Sequence, residues 1–158
     1  MNKRFASTRP TRKQLDHSLY FHGRFGVTYF ITICCQRRGV NQLCKPDIAQ
    51  ELFRTAQQYH AAEEWYVELL LLMPDHLHML IAVSGETSLS KLIRDFKRIA
   101  TRKQKIEWQR NFFDHRLRHD ESETEKYDYI CENPVRAGLV RSAEDWPFVF
   151  VPVDPAGD

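Results

Sequence analysis

Two groups of residues in this sequence are of types that do chemistry. His76-Leu77-His78 sets two imidazoles two positions apart. On a β-strand such residues share a face, so the pair can chelate one metal ion, histidine being the commonest side-chain ligand. A bare His-x-His is also the pattern of two hydrogen-bonded histidines with no ligand, and takes its weight from the rest of the chain. Far downstream, Tyr129 and Asn133 are four apart, the spacing that shares a helix face. A tyrosine hydroxyl is a covalent nucleophile once activated; its ordinary pKa of about 10 means that a nearby metal or base must help. The Asn133 amide oxygen, one turn on, is a candidate third ligand to the same metal, which would leave positions open for phosphate oxygens. The alternative for this pair is a ring packed on a sheet and an asparagine capping the helix end. Tyr127 competes with Tyr129, but its i+4 partner is Cys131 and it lies well around the helix.

The elements that must position these residues are legible from periodicity. Phe25 to Cys35 alternate around β-branched and aromatic residues and read as a strand. After a loop over 39–45, Pro46 suits a first helical position, and Ile48, Leu52, Phe53, Ala56 and Tyr59 predict a helix over 46–62. Trp65 to Met73 is an apolar strand, Pro74-Asp75 a tight turn, and His76 to Val83 a second strand, making a hairpin. Leu77, Met79, Ile81 and Val83 form the better core face, so His76 and His78 are expected on the other. Leu89, Leu92, Ile93, Phe96, Ile99 and Ile106 mark one face of a long helix, whose other face carries Lys91, Arg94, Arg98, Arg102 and Lys105. A short strand over 112–117 and a helix over 121–133, stopped by Pro134, complete the pattern. The order β-α-β-β-α-β predicts an α+β, ferredoxin-like fold: a four-stranded antiparallel sheet with two helices on one face. A further C-terminal helix carries Tyr129. The expected organisation is a basic arm over 1–24, one domain over 25–140 and a tail over 141–158.

A chain of 158 residues with 42% hydrophobic and 28% charged residues suits one ordinary globular domain. The formal net charge of +2 hides an uneven distribution. Residues 1–24 hold six Lys/Arg against one acidic residue, and residues 91–118 hold ten against three. Residues 119–158 reverse this, with three Lys/Arg and ten acidic residues. Such asymmetry is a cue for a polyanionic partner; a solvated helix face beside an acidic tail is the alternative from charge alone. Cys34, Cys35, Cys44 and Cys131 show no Cys-x-x-Cys spacing, which argues against a thiolate metal site and suits reduced thiols. No apolar run reaches transmembrane length and no apolar segment follows the basic first residues, so a cytoplasmic or nucleoid-associated protein is expected.

Met73-Pro74-Asp75-His76-Leu77-His78-Met79-Leu80, followed by Tyr129-Ile130, then Asn133-Pro134-Val135-Arg136-Ala137-Gly138-Leu139-Val140, resembles the REP-associated tyrosine transposases. These are single-tyrosine, insertion-sequence-type enzymes of the His-hydrophobe-His endonuclease superfamily. Ser90-Lys91-Leu92-Ile93 with Phe96-Lys97 resembles the family's basic helix, and Trp108-Gln109 with Phe113-Asp114-His115 its last-strand segment. The resemblance implies a ferredoxin-like catalytic domain and a divalent metal, Mg2+ or Mn2+. It implies His76 and His78 as metal ligands and Tyr129 as the nucleophile that forms a 5′-phosphotyrosine and frees a 3′-hydroxyl. Asn133 falls where insertion-sequence relatives have a metal-binding glutamine. The implied substrate is single-stranded DNA beside a hairpin, typically a repetitive extragenic palindrome (REP). Two departures stand out: Asp75 replaces the usual asparagine, and Asn133 is shorter than glutamine and precedes proline.

With this chemistry, His115 and Asp114 are candidates for a pair supporting the metal site, since carboxylates often orient metal-bound histidines; a hydrogen-bonded strand histidine beside a surface acid is the alternative. Arg94, Arg98 and Arg102, then Lys91 and Lys105, with the N-terminal arm, are candidates for holding the DNA backbone. Arg37 and Arg38 come second. Phe112 and Trp108 are candidates for stacking on bases or for core packing. The competing functions are a DNA-hairpin-binding protein with weak or no catalysis, and an RNA-binding ferredoxin-like domain. The strands lack the aromatic stacking motifs of the latter class. Monomer and homodimer both remain compatible with the sequence.

Overall fold

The computed structural model describes residues 26–118 and 121–153. Strand β1 (Val27–Cys34) is followed by helix α1 (Pro46–Ala61), the hairpin β2 (Tyr66–Met73) and β3 (His76–Val83), helix α2 (Leu89–Ala100) and strand β4 (Phe113–Arg116). Helix α3 (Glu123–Cys131), helix α4 (Asn133–Arg136), a single 3₁₀ turn (Ala143–Asp145) and strand β5 (Val149–Phe150) complete the chain. Among the described residues one antiparallel sheet forms, in the order β4-β1-β3-β2-β5. The expected βαββαβ architecture is therefore present, with a fifth strand added beside β2.

Side-chain alternation divides the sheet into two faces. Ile31 and Ile33 of β1, Leu70 and Leu72 of β2, and Leu77, Met79, Ile81 and Val83 of β3 pack beneath Ile48, Leu52, Phe53 and Ala56 of α1 and Leu92, Ile93 and Phe96 of α2. The opposite face carries Leu69, Leu71, Met73 and Leu80, covered by Tyr127, Ile130 and Cys131 of α3 and by Trp146. A register shift between Val67 and Leu69 lets Val67 and Leu70 both join the first face, the local effect of an extra residue in one strand. His76 and His78 alternate with the first core and so stand on the α3 face, as strand periodicity requires.

Three boundaries differ from the sequence expectations. Helix α2 ends at Ala100, so Arg102 and Lys105 lie in the following turn and not on one helical stripe. The Thr101 hydroxyl donates back to the Lys97 carbonyl at 2.6 Å and accepts from Trp108 Nε1 at 3.1 Å, turning the chain so that Trp108 bridges Cys35. Ile106 still packs on the core, which is why its spacing mimicked helix. Pro134 does not simply stop a helix over 121–133: α3 closes at Cys131, and Pro134 sits in the first turn of α4, where its missing N–H costs nothing. Gly138, with φ +74°, ends α4 in the left-handed conformation that favours glycine. Last, 141–158 is not merely a tail. Trp146 is buried and donates to the Leu72 carbonyl at 2.9 Å, and β5 pairs with Leu70 and Leu71, protecting the β2 edge. The basic arm over 1–24 lies outside the described residues.

Candidate active site

His76 opens β3 directly after the Pro74-Asp75 turn. Its Nδ1 meets the Asp75 carboxylate at 2.7 Å. The other Asp75 oxygen accepts from the Gly39 N–H at 2.8 Å and lies 3.1 Å from Arg38 Nε. Gly39, at φ +79°, gives the loop the bend that aims this N–H. Burial works against the Asp75 charge, but the Gly39 N–H, the His76 ring and the Arg38 cation together hold its carboxyl below the usual range. Asp75 thus anchors His76 by its δ-nitrogen, the arrangement that orients metal-binding imidazoles through a carboxylate.

His78 is 8% exposed. Its Nδ1 lies 2.9 Å from the Thr32 hydroxyl on β1, a contact set by the Thr32–His78 register. Phe30 stacks on the ring at 5.6 Å. Burial, then the neighbouring His76, Arg136 and Arg38 charges, push the His78 pKa down to about 3. The imidazole is neutral at physiological pH, the form that binds metal. The two rings are 4.9 Å apart and nearly perpendicular. Each engages Nδ1 with the protein, leaving Nε2 for a ligand.

The tyrosine helix, α3, covers this same face of the sheet. Tyr127 is 4% exposed in the core, whereas Tyr129 is 54% exposed. The Tyr129 ring sits edge-on to Phe30, centroids 6.4 Å apart, so Phe30 touches both the His78 and Tyr129 rings. Asn133 begins α4, and its amide Nδ2 is buried with no hydrogen-bond partner among the described residues. Amide oxygen and nitrogen exchange by a simple flip, and a buried amide nitrogen without a partner is costly unless a polar ligand meets it. Among the described residues no three His, Cys, Asp or Glu side chains cluster to hold a metal. The two adjacent imidazoles, of which His78 is held neutral by burial, are nevertheless a donor pair that fits an ion whose remaining positions go to oxygen ligands.

The other candidates fall in different places. Lys91, Arg94 and Arg98 are exposed on the outer side of α2, whose buried side faces the first core. They and the turn residues Arg102 and Lys105 therefore belong to the helix layer, across the sheet from the histidines. Arg94 and Arg98 flank Asp95, at 3.9 and 3.6 Å. Arg37 and Arg38 are exposed on the loop at the histidine edge. Asp114 pairs in register with Ile31 and His115 with Phe30, so strand alternation puts Asp114 on the α1–α2 face and His115 on the α3 face. The expected Asp114–His115 pair is thus corrected: His115 Nε2 meets both oxygens of Glu121, at 3.0 and 2.9 Å. Phe112 and Trp108 pack against the first core, while Phe113 is exposed. A groove of about 750 Å³ is lined by Val27, Thr28, His115, Arg116, Glu121 and Glu123 among others. It lies at the end of β1 away from the histidines.

Thr32, Phe30 and Arg136 escaped the sequence reading. Thr32 and Phe30 are reached through strand register, which no short motif encodes. Arg136 stood inside the quoted downstream motif, but the break between α3 and α4 hid its approach to Tyr129.

Residues 24–130 match the family model described as IS200-like transposase. The chain is 30% identical over 145 residues to a REP-associated tyrosine transposase of Escherichia coli K12, covering 84% of this chain and 87% of that protein. A protein of Haemophilus influenzae described in the same terms is 30% identical over 142 residues, covering 78% of each chain. The fold superposes on the structure of a REP-associated tyrosine transposase bound to a REP hairpin with a TM-score of 0.68 and 27% identity, over 84% of this chain and 87% of that one. The sheet order, the paired histidines and the exposed tyrosine thus sit in a sequence and fold held in common with these proteins, and the chain belongs to the IS200-like transposase family, with the REP-associated tyrosine transposases.

Proposed function

We propose that this protein is a metal-dependent enzyme that cuts and rejoins single-stranded DNA beside REP-type hairpins, with Tyr129 as nucleophile. The observation that carries the reading is the meeting of an exposed Tyr129 and the neutral His78 across one shared ring, Phe30. The hairpin substrate is suggested by the structural neighbour, which was solved bound to a REP hairpin. His76 and His78 would hold Mg2+ or Mn2+, with Asn133 as the third protein ligand. When bound, such an ion supplies Lewis-acid polarisation and orientation of the scissile phosphate. Asp75 fixes His76 and Thr32 fixes His78, so neither imidazole rotates away. The Tyr129 oxygen forms a bond to phosphorus as its proton passes to solvent, the bond from phosphorus to the 3′-oxygen breaks, and that oxygen takes up a proton from solvent and leaves as a 3′-hydroxyl. The phosphodiester energy is retained in the 5′-phosphotyrosine, so rejoining needs no nucleotide cofactor. Arg37 and Arg38 face the reacting strand, while Lys91, Arg94, Arg98, Arg102 and Lys105 form a separate basic surface for DNA phosphates beyond it. Among the described residues no helix is long and apolar enough to cross a membrane.

The test mixes the protein with single-stranded oligonucleotides carrying the hairpins that flank its gene, in Mn2+ or Mg2+, and resolves covalent adducts on a denaturing gel. An adduct lost with chelator and in Tyr129→Phe is expected. Undiminished adduct in Tyr129→Phe would refute the nucleophile. Retarded hairpin on a native gel without adduct under either metal would refute cleavage in favour of binding alone.

A further inference from the structure

Helix α3 ends at Cys131, two residues after Tyr129; its C-cap Glu132 N–H bonds back to the Asp128 and Ile130 carbonyls, and the Tyr129 carbonyl between them takes a donor from outside the helix. Its final turn contains no basic residue to complement the negative end of the helix. Arg136, at the end of α4, fills that role from outside: its guanidinium donates to the Tyr129 backbone carbonyl at 2.7 Å. The same guanidinium lies over the Tyr129 ring, with Cζ 4.1 Å from the centroid. Phe30 meets that ring edge-on. Helix α4 is itself anchored, with Pro134 buried and the Gly138 and Leu139 N–H groups bonded back to Val135 and Pro134 at 2.9 Å. A tyrosine more than half exposed ordinarily samples several rotamers. This one is held by a hydrogen bond at its own backbone, a cation on its ring and an aromatic edge.

We propose that Arg136 is the positioning residue of the nucleophile, clamping the Tyr129 ring against Phe30 so that its hydroxyl is presented beside His78 in one orientation. Arginine suits the task because its planar fork stacks and donates at once, whereas the compact lysine ammonium does one or the other. The catalytic part of this inference rests on the reading of Tyr129 as nucleophile; the clamp does not.

The experiment uses the full chain labelled with 3-fluorotyrosine, the Tyr129 resonance being assigned from Tyr129→Phe. In Arg136→Ala and Arg136→Lys that resonance is expected to move towards the free amino acid position and to sharpen. An unmoved resonance in both variants would overturn the clamp. In parallel, initial rates of covalent adduct are measured with hairpin binding followed on native gels. Since a misplacement of about 1 Å costs roughly 100-fold in rate, both variants are expected to form adduct at least about tenfold more slowly, with hairpin affinity unchanged. A lysine variant as fast as wild type would mean that charge alone suffices and would overturn the positioning role. A melting curve separates loss of fold from loss of clamp, and the lysine variant preserves the test where alanine unfolds the chain. Absence of adduct in the wild type would defeat the proposed function, while the fluorine spectra would still decide the clamp.

Discussion

Replacing Thr32 by valine should destabilise this protein although valine is the better strand former. The two side chains are nearly isosteric, and β-propensity alone favours valine by less than about 1 kcal/mol. The Thr32 hydroxyl, however, is the hydrogen-bond partner of His78 Nδ1, at 2.9 Å, and His78 is 8% exposed, so water does not readily replace it. Leaving a buried polar atom unsatisfied costs about 1–3 kcal/mol. Set against the propensity gain, the net loss is about 1–2 kcal/mol, and each kcal/mol lowers Tm by about 2–4 °C in a chain of this size. Thermal and urea melts followed by circular dichroism at pH 7, with chelator present, measure it directly; Thr32→Ser, which keeps the hydroxyl, should recover most of the loss. In a His78→Leu background the same valine substitution should be neutral or stabilising, giving a coupling of about 1 kcal/mol or more. A Thr32→Val protein that melts at or above wild type would refute the reasoning, as would an equal loss in both backgrounds.

Two further outcomes follow from the same geometry. Burial pushes His78 down to about 3 from 6.5, so below pH 6.5 the unfolded chain binds a proton that the folded chain refuses. This contribution to stability is complete above pH 6.5 and is lost as pH falls towards 3, on the order of 3 kcal/mol by pH 4. Urea midpoints of wild type should fall more steeply than those of His78→Leu between pH 7 and 4, and parallel profiles would count against a neutral buried His78. Trp146→Phe removes the donor to the Leu72 carbonyl and should loosen the β2 edge, where the Leu72 N–H bonds the Phe148 carbonyl at 2.9 Å. Hydrogen exchange at the Leu72 amide should accelerate at least about tenfold; an unchanged rate would show that β5 docks without the indole.

The sequence alone determined what depends on local period and on residue type. Alternation along His76–Val83 assigned Leu77, Met79, Ile81 and Val83 to one face and both histidines to the other. Helical spacing set Tyr129 apart from Tyr127 around the helix, though only the structure showed the first exposed and the second buried, and the βαββαβ order followed from the succession of periods. Tertiary structure decided what depends on which elements meet. Strand register, set by packing across the whole sheet, gave His78 its partner Thr32, and the segment before α3 gave His115 its partner Glu121. Layering carried the α2 arginines to the side away from the histidines, because a helix buries whichever stripe faces the sheet. The apparent long helix ended at Ala100 because Thr101 and Trp108 turn the chain back towards β1, a pairing invisible to a window of spacing. Arg136 reaches Tyr129 because Pro134, read locally as an end, lies in the first turn of a second helix that carries Arg136 back to the Tyr129 carbonyl. Periodicity is a property of neighbours in the chain, whereas a site is assembled by neighbours in space, and only the folded packing makes the second from the first.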